Sequence, residues 1–164
     1  MQIKLASDLM FDSIVDGLGL RIVIWTQGCS HNCYKCHNPQ THDFSKGKYY
    51  DIDELVDRIV KYPLKSGVTL SGGDPFFQKE EVLYLVKRLK EHKINIWAYT
   101  GFIYEDLLKD KTWTEILENI DVLIDGPFIY KEYDPLLKFR GSKNQRIIDI
   151  KKSLNQNKVI EAEI

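Results

Sequence analysis

Cys29, Cys33 and Cys36 fall within eight residues of the stretch TQGCSHNCYKCHNPQTHDF (26–44), and the chain has no other cysteine. Iron–sulfur clusters are ordinarily held by four thiolates. Three thiolates on one short loop can take three corners of a cubane [4Fe–4S] cluster and leave the fourth iron open to a small chelating ligand. Two other readings use the same residues: a three-thiolate zinc site completed by His31 or His37, and three incidental buried cysteines. Zinc ligands usually come as two separated pairs, and no second Cys/His pair follows this loop. The spacing therefore favours iron–sulfur and leaves His31 and His37 as loop residues. An odd, clustered cysteine count also argues against a disulfide framework and for a reducing compartment.

A second stretch with chemical potential is SGGDP (71–75). It lacks the Gly-Lys-Ser/Thr ending of a phosphate-binding loop, and GLGLR (17–21) follows no strand, so nucleoside triphosphate binding is not supported. Gly72 and Gly73 let the backbone approach a ligand closely. Their carbonyls could accept hydrogen bonds from a protonated amine, while Asp74 adds negative charge. Gly-Gly-Asp-Pro is also an ordinary turn.

The elements that must position these loops alternate. RIVIWT (21–26), GVTL (67–70), NIWAY (95–99) and DVLID (121–125) are short β-branched or aromatic runs and predict buried strands. In KEEVLYLVKRLKEHK (79–93), Val82, Leu85, Val86 and Leu89 recur at helical spacing. DIDELVDRIVKYP (51–63) opens with Asp51 and Glu54 at capping-box spacing and stops before Pro63; TWTEILENI (112–120) predicts a shorter helix. Strand–helix alternation implies right-handed crossovers and an α/β fold with a mainly parallel sheet, doubly wound or part of a (βα) barrel. In either architecture ligands sit at the carboxyl ends of the strands. The segments there are QGCSHNCYKCHN, SGGDPF, TGF and DGPF, so every Gly-rich, polar or cysteine-bearing loop falls on one face.

The 164 residues predict one domain spanning 1–164, with a polar C-terminal tail from about residue 151. Lys and Arg total 23 against 24 Asp and Glu, a net charge of −1 that offers no basic field for nucleic acid. Acidic residues interrupt the opening MQIKLASDLMFDSIVDG where a secretory signal would be apolar, and no later stretch approaches membrane-spanning length. A cytoplasmic protein is expected.

With CxxxCxxC at 29–36, GGDP at 72–75 and βα alternation between and after them, the sequence resembles the radical S-adenosylmethionine (SAM) superfamily. VDGLGLRIVIWTQGC (15–29), DVLIDGPF (121–128) and RGSKNQRIID (140–149) are similar to the activating proteins of anaerobic ribonucleoside-triphosphate reductase, from about residue 10 to 150. The resemblance implies an abbreviated (βα) partial barrel and an enzyme that cleaves SAM reductively at a [4Fe–4S] cluster to give a 5′-deoxyadenosyl radical. It implies that the methionyl amine and carboxylate of SAM chelate the open iron. The implied partners are the reductase large subunit, a glycine of which loses its α-hydrogen, and a low-potential electron donor such as flavodoxin.

Carried over by residue, the resemblance makes Cys29, Cys33 and Cys36 cluster ligands and sets Gly72, Gly73 and Asp74 against the methionyl amine. Thr100 and Asp125 match positions that line the SAM pocket around a monovalent cation in formate-lyase activating enzymes; local capping is the alternative role for both. Tyr99 stands where those enzymes carry aspartate, and Lys35 where many superfamily members carry an aromatic against adenine, with Tyr34 beside it. RGSKNQR offers donors to SAM or the partner, or is a solvated turn into a final strand. The aromatics of FIYKEYDPLLKF (128–139) offer a docking surface or core packing. Two other functions use the same motifs: a radical SAM enzyme acting on a small molecule, as 7-carboxy-7-deazaguanine synthase does, and a non-catalytic iron–sulfur or zinc module.

Overall fold

The computed structural model describes residues 1–63 and 65–164. Two short strands, β1 (Gln2–Leu5) and β2 (Met10–Ser13), precede β3 (Arg21–Thr26), and β4 (Lys48–Asp51) leads directly into α1 (Ile52–Lys61). The chain then alternates: β5 (Gly67–Gly72), α2 (Lys79–Glu91), β6 (Ile96–Tyr99), α3 (Tyr104–Leu107), α4 (Lys111–Glu118) and β7 (Val122–Asp125). It closes with β8 (Arg146–Asp149) and α5 (Ile150–Gln156).

All four apolar runs become the centre of one sheet, ordered β4–β1–β3–β5–β6–β7–β8, with β2 on β3 outside that path. β3, β5, β6 and β7 are mutually parallel; β1, β4 and β8 run antiparallel to their neighbours. The registers Thr26↔Gly72, Leu70↔Ala98 and Tyr99↔Ile124 bring the carboxyl ends of the four parallel strands level. The sheet stays open, as an abbreviated partial barrel must.

Side chains alternate along each strand. Ile22, Ile24, Val68, Leu70, Ile96, Ala98, Leu123 and Ile148 belong to the core shared with the helices, whereas Trp25, Ser71 and Tyr99 turn to a cavity on the other side. Helix α1 buries Ile52, Leu55, Val56 and Ile59, one stripe at i, i+3, i+4 and i+7. Its start is fixed by Asp51, whose carboxylate accepts from the Glu54 N–H at 3.0 Å, a cap that contributes about 1 kcal/mol. Helix α2 buries Val82, Leu85, Val86 and Leu89. Fully burying each such side chain stabilises by roughly 1.5–3 kcal/mol.

The polar tail is packed at the sheet edge. Its first residues form α5, capped by Asp149 through the Lys152 N–H at 3.0 Å, and the chain then returns to β8, where Ala162 N–H donates to Ile147 at 2.8 Å. Among the described residues, no helix is long and apolar enough to cross a membrane.

Candidate functional site

The loop after β3 carries the three cysteines. Gly28 N–H donates to Thr41 O at 2.7 Å and Cys29 N–H to His42 O at 3.1 Å, so the loop leaves the strand pinned to its own return limb. Asn32 and Lys35, each immediately before a cysteine, take the left-handed conformation (φ +54° and +55°). Asparagine adopts it readily; for lysine it costs on the order of 1 kcal/mol. A turn from Cys36 N–H to Cys33 O follows at 3.1 Å. His42 Nε2 lies 3.3 Å from Cys36 Sγ, and Asn38 N–H donates to the same sulfur at 3.5 Å.

All three cysteines are free, half-buried, and line one cavity of about 460 Å³ at the carboxyl ends of the parallel strands. That volume lies within the roughly 300–1,000 Å³ of small-molecule and cofactor sites. Burial pushes the Cys29 thiol up to about 11, with the Asp74 charge and the other two cysteines adding to it, and burial also raises Cys33. Such thiols ionise only against a positive centre, which is what iron supplies. Among the described residues no three His, Cys, Asp or Glu side chains converge to hold a single metal ion. A cubane presents its iron corners apart and takes ligands from around a cavity, so this donor set fits a three-thiolate [4Fe–4S] cluster.

Gly72, Gly73 and Thr100 line the same cavity. Gly72 holds φ +103°, and any Cβ there would collide with the Thr26 carbonyl, so only glycine lets β5 end this close to β3. Gly73 N–H donates to Thr26 O at 2.9 Å and Asp74 N–H to Gly28 O at 3.0 Å, tying this loop to the cysteine loop. The Asp74 side chain does not line the cavity. It is 1% exposed, and its oxygens accept from His31 Nε2, Thr100 Oγ1, Gly101 N–H and Phe76 N–H.

Asp125 also faces away from the cavity. Its Oδ2 accepts from the Tyr104 N–H at 2.8 Å at the start of α3 and from Arg146 Nη2 at 2.6 Å, and its Oδ1 accepts from Arg146 Nε at 3.1 Å. This is the capping alternative, with a guanidinium added. The Tyr99 hydroxyl, which lines the cavity, is raised well above its ordinary value by burial.

Three features were not assigned individual roles from sequence. RGSKNQR folds back on the loop after β7: Gln145 Oε1 accepts from Gly141 and Ser142 N–H at 2.9 and 3.2 Å, and its Nε2 donates to Gly126 O at 3.1 Å. Arg140, Gly141 and Gln145 thereby wall the cavity, with Arg140 held by Gln145 O at 2.6 Å. Arg21, fully buried, donates to Thr69 Oγ1, Val68 O, Leu18 O and Asn95 Oδ1, and its guanidinium lies 5.3 Å from the Trp97 ring. Burial lowers its pKa to about 10, so it stays charged while pinning the 14–20 loop to the sheet. Tyr133 lines the cavity, and Tyr130 and Tyr34 continue outward from it ring to ring; all three remain well exposed, with Lys35 Nζ 4.3 Å from the Tyr130 ring, so core packing does not account for them.

Comparison with known proteins agrees with this construction. A family described as "4Fe-4S single cluster domain" matches residues 15–148, so the fold and the three-thiol cavity define a single-cluster protein of the radical SAM type. The anaerobic ribonucleoside-triphosphate reductase-activating protein of Haemophilus influenzae is 39% identical over 145 residues, covering 82% of this chain and 90% of that one. That of Vibrio cholerae is 39% identical over 144 residues, with the same coverage. That of Escherichia coli K12 is 33% identical over 143 residues, covering 80% and 90%. The chain belongs to the family of anaerobic ribonucleoside-triphosphate reductase-activating proteins. Among solved structures, QueE from Escherichia coli shares the fold with a TM-score of 0.52 at 20% identity, over 62% of this chain and about half (53%) of QueE.

Proposed function

We infer that this chain is the activating enzyme of an anaerobic ribonucleoside-triphosphate reductase, on whose large subunit it generates a glycyl radical. The observation that carries this reading is the convergence of Cys29, Cys33, Cys36, Gly72, Gly73 and Thr100 on one cavity in a chain of this family. When bound, the [4Fe–4S] cluster supplies an electron to SAM, whose cleavage furnishes the 5′-deoxyadenosyl radical.

The chain's own residues bind, orient and exclude water. Cys29, Cys33 and Cys36 hold three irons. The backbone at Gly72 and Gly73, opened by the absence of side chains, receives the methionyl amine, with Thr100 beside it. Asp74 contributes through the loops it ties together, and Asp125 through the start of α3. Arg140 brings a guanidinium to the wall, suited to a carboxylate. Arg140, Gly141 and Gln145 wall the cavity, Gly141 beside His37 of the cysteine loop, which limits the water able to reach a radical.

The reductase would dock on the rim formed by Tyr34, Tyr130 and Tyr133, exposed aromatics of the kind enriched at interfaces. A low-potential donor such as flavodoxin would reduce the cluster, in the cytoplasm, and residues 1–164 would act as one domain. The test is anaerobic reconstitution with iron and sulfide, reduction, and electron paramagnetic resonance with and without SAM. A cluster signal altered by SAM, then a glycyl radical on added reductase, is expected; a signal indifferent to SAM overturns the reading.

A further inference from the structure

Asp74 gathers donors from three loops. Its Oδ2 accepts from His31 Nε2 at 2.6 Å, Thr100 Oγ1 at 2.9 Å and Gly101 N–H at 2.9 Å. Its Oδ1 accepts from Phe76 N–H at 3.0 Å. Three of these donors lie within or just beyond the loops that follow β5 and β6. The fourth, His31, lies midway between Cys29 and Cys33 in the loop after β3.

The imidazole is enclosed as well as bonded. Its centroid lies 4.5 Å from that of Phe102 and 5.2 Å from that of Phe77. It occupies the space over Gly101, where a Cβ would come within 2.6 Å of the ring. One residue of the cysteine loop thus reaches the loops after β5 and β6 through its ring. A hydrogen bond to a buried carboxylate is among the stronger ones, so the ring has one preferred place.

We propose that His31, clamped by Asp74, is the positioning residue of the cysteine loop: it holds the segment from Cys29 to Cys33 against the loops after β5 and β6 and so sets the pose of the cluster. The proposal rests on the cluster reading above. The surroundings of a cluster set its reduction potential, and partners that orient ligands typically affect metal sites by 10–100-fold. Loosening His31 should therefore change the properties of the cluster and leave the fold in place.

The test compares His31→Phe, which keeps the aromatic packing and loses the donor, with His31→Gln, which keeps a donor. Gly101→Ala displaces the ring by an independent route. Each is made in the full chain and reconstituted anaerobically, and five quantities are measured: iron per chain, Tm, midpoint potential, SAM affinity, and amide exchange across residues 29–36 with and without metal. For His31→Phe we expect wild-type iron content and a Tm lower by a few degrees, because a donor to a buried carboxylate is lost; the three diagnostic changes are a shifted potential, exchange in the loop faster by about tenfold, and SAM binding weakened by about tenfold. His31→Gln should restore all three, and Gly101→Ala should follow His31→Phe.

Wild-type potential and loop exchange in His31→Phe would overturn the proposal, as would a His31→Gln variant no better than His31→Phe. If His31→Phe takes up no iron, its metal-free loop exchange and the Gly101→Ala potential decide. A wild-type cluster that ignores SAM would refute the proposed function while the potential and exchange still judge His31.

Discussion

Arg146 Nη2 lies 2.6 Å from Asp125 Oδ2, at the end of β7, and the same guanidinium donates to Glu105 Oε1 at 2.6 Å. The first carboxylate is 1% exposed and the second about half exposed. One arginine therefore joins β8, the end of β7 and the start of α3 beneath the cavity, and holds Asp125 where it caps α3. The interaction with Glu105 keeps that carboxyl below its ordinary value of 4.5.

Removing the guanidinium strands a buried carboxylate. Breaking a fully buried pair costs roughly 3–5 kcal/mol. Arg146 is 30% exposed and the Tyr104 N–H still serves Asp125, so Arg146→Met should destabilise by about 2–3 kcal/mol. Urea denaturation measures it. The double variant with Asp125→Asn should lose less than Arg146→Met alone, because no buried charge is then left unpaired.

Glu105 gives the pH dependence a sign. Its folded pKa is depressed, so the stability it contributes is present above 4.5 and is lost as pH falls through the lower folded value. The pair is largely solvated, which limits the effect to about 1 kcal/mol. Thermal melts at pH 6 and at successive points below 4.5 should show wild type losing its margin over Glu105→Gln. An unchanged margin across that window would remove the ion pair from the account of stability.

Each of Cys29→Ala, Cys33→Ala and Cys36→Ala should abolish the air-sensitive brown chromophore and SAM cleavage while leaving the α/β circular dichroism spectrum. The thiols lie in a loop outside the sheet core, so their removal leaves the packed side chains of β3, β5 and β6 in place. Stripping iron with a chelator should have the same effect, reversed by reconstitution. A single variant that retains a full cluster would exclude that cysteine as a ligand.

Tyr130 is 44% exposed and carries Lys35 over its ring. Tyr130→Ala should weaken association with the reductase by about 1–2 kcal/mol, roughly five- to thirty-fold, with iron content and SAM cleavage in the absence of partner unchanged. Affinity measured by sedimentation or interferometry, beside uncoupled SAM cleavage, separates docking from chemistry.

Much of this protein is written in local patterns. The four central strands and α1, α2 and α4 follow from apolar periodicity and from Asp51 and Pro63, because burying one face of each element is a requirement its own residues express. The trio of cysteines in eight residues, in a chain with no fourth, likewise announces an incomplete ligand set. β1, β2 and β4 escaped because each has only four residues: β2 and β4 lie at edges, and β1, between β4 and β3, buries only Ile3 and Leu5, too few to express a pattern of their own.

Tertiary structure alone decided what the polar residues do. Asp74 and Asp125 look from sequence like ligand-facing carboxylates, yet both are spent inside, on His31, Thr100 and Gly101 in one case and on Arg146 and Tyr104 in the other. Sequence separations of up to 43 residues hide such partners. A buried charge takes whichever donors the fold brings within about 3 Å, a choice made by the packing of the whole chain.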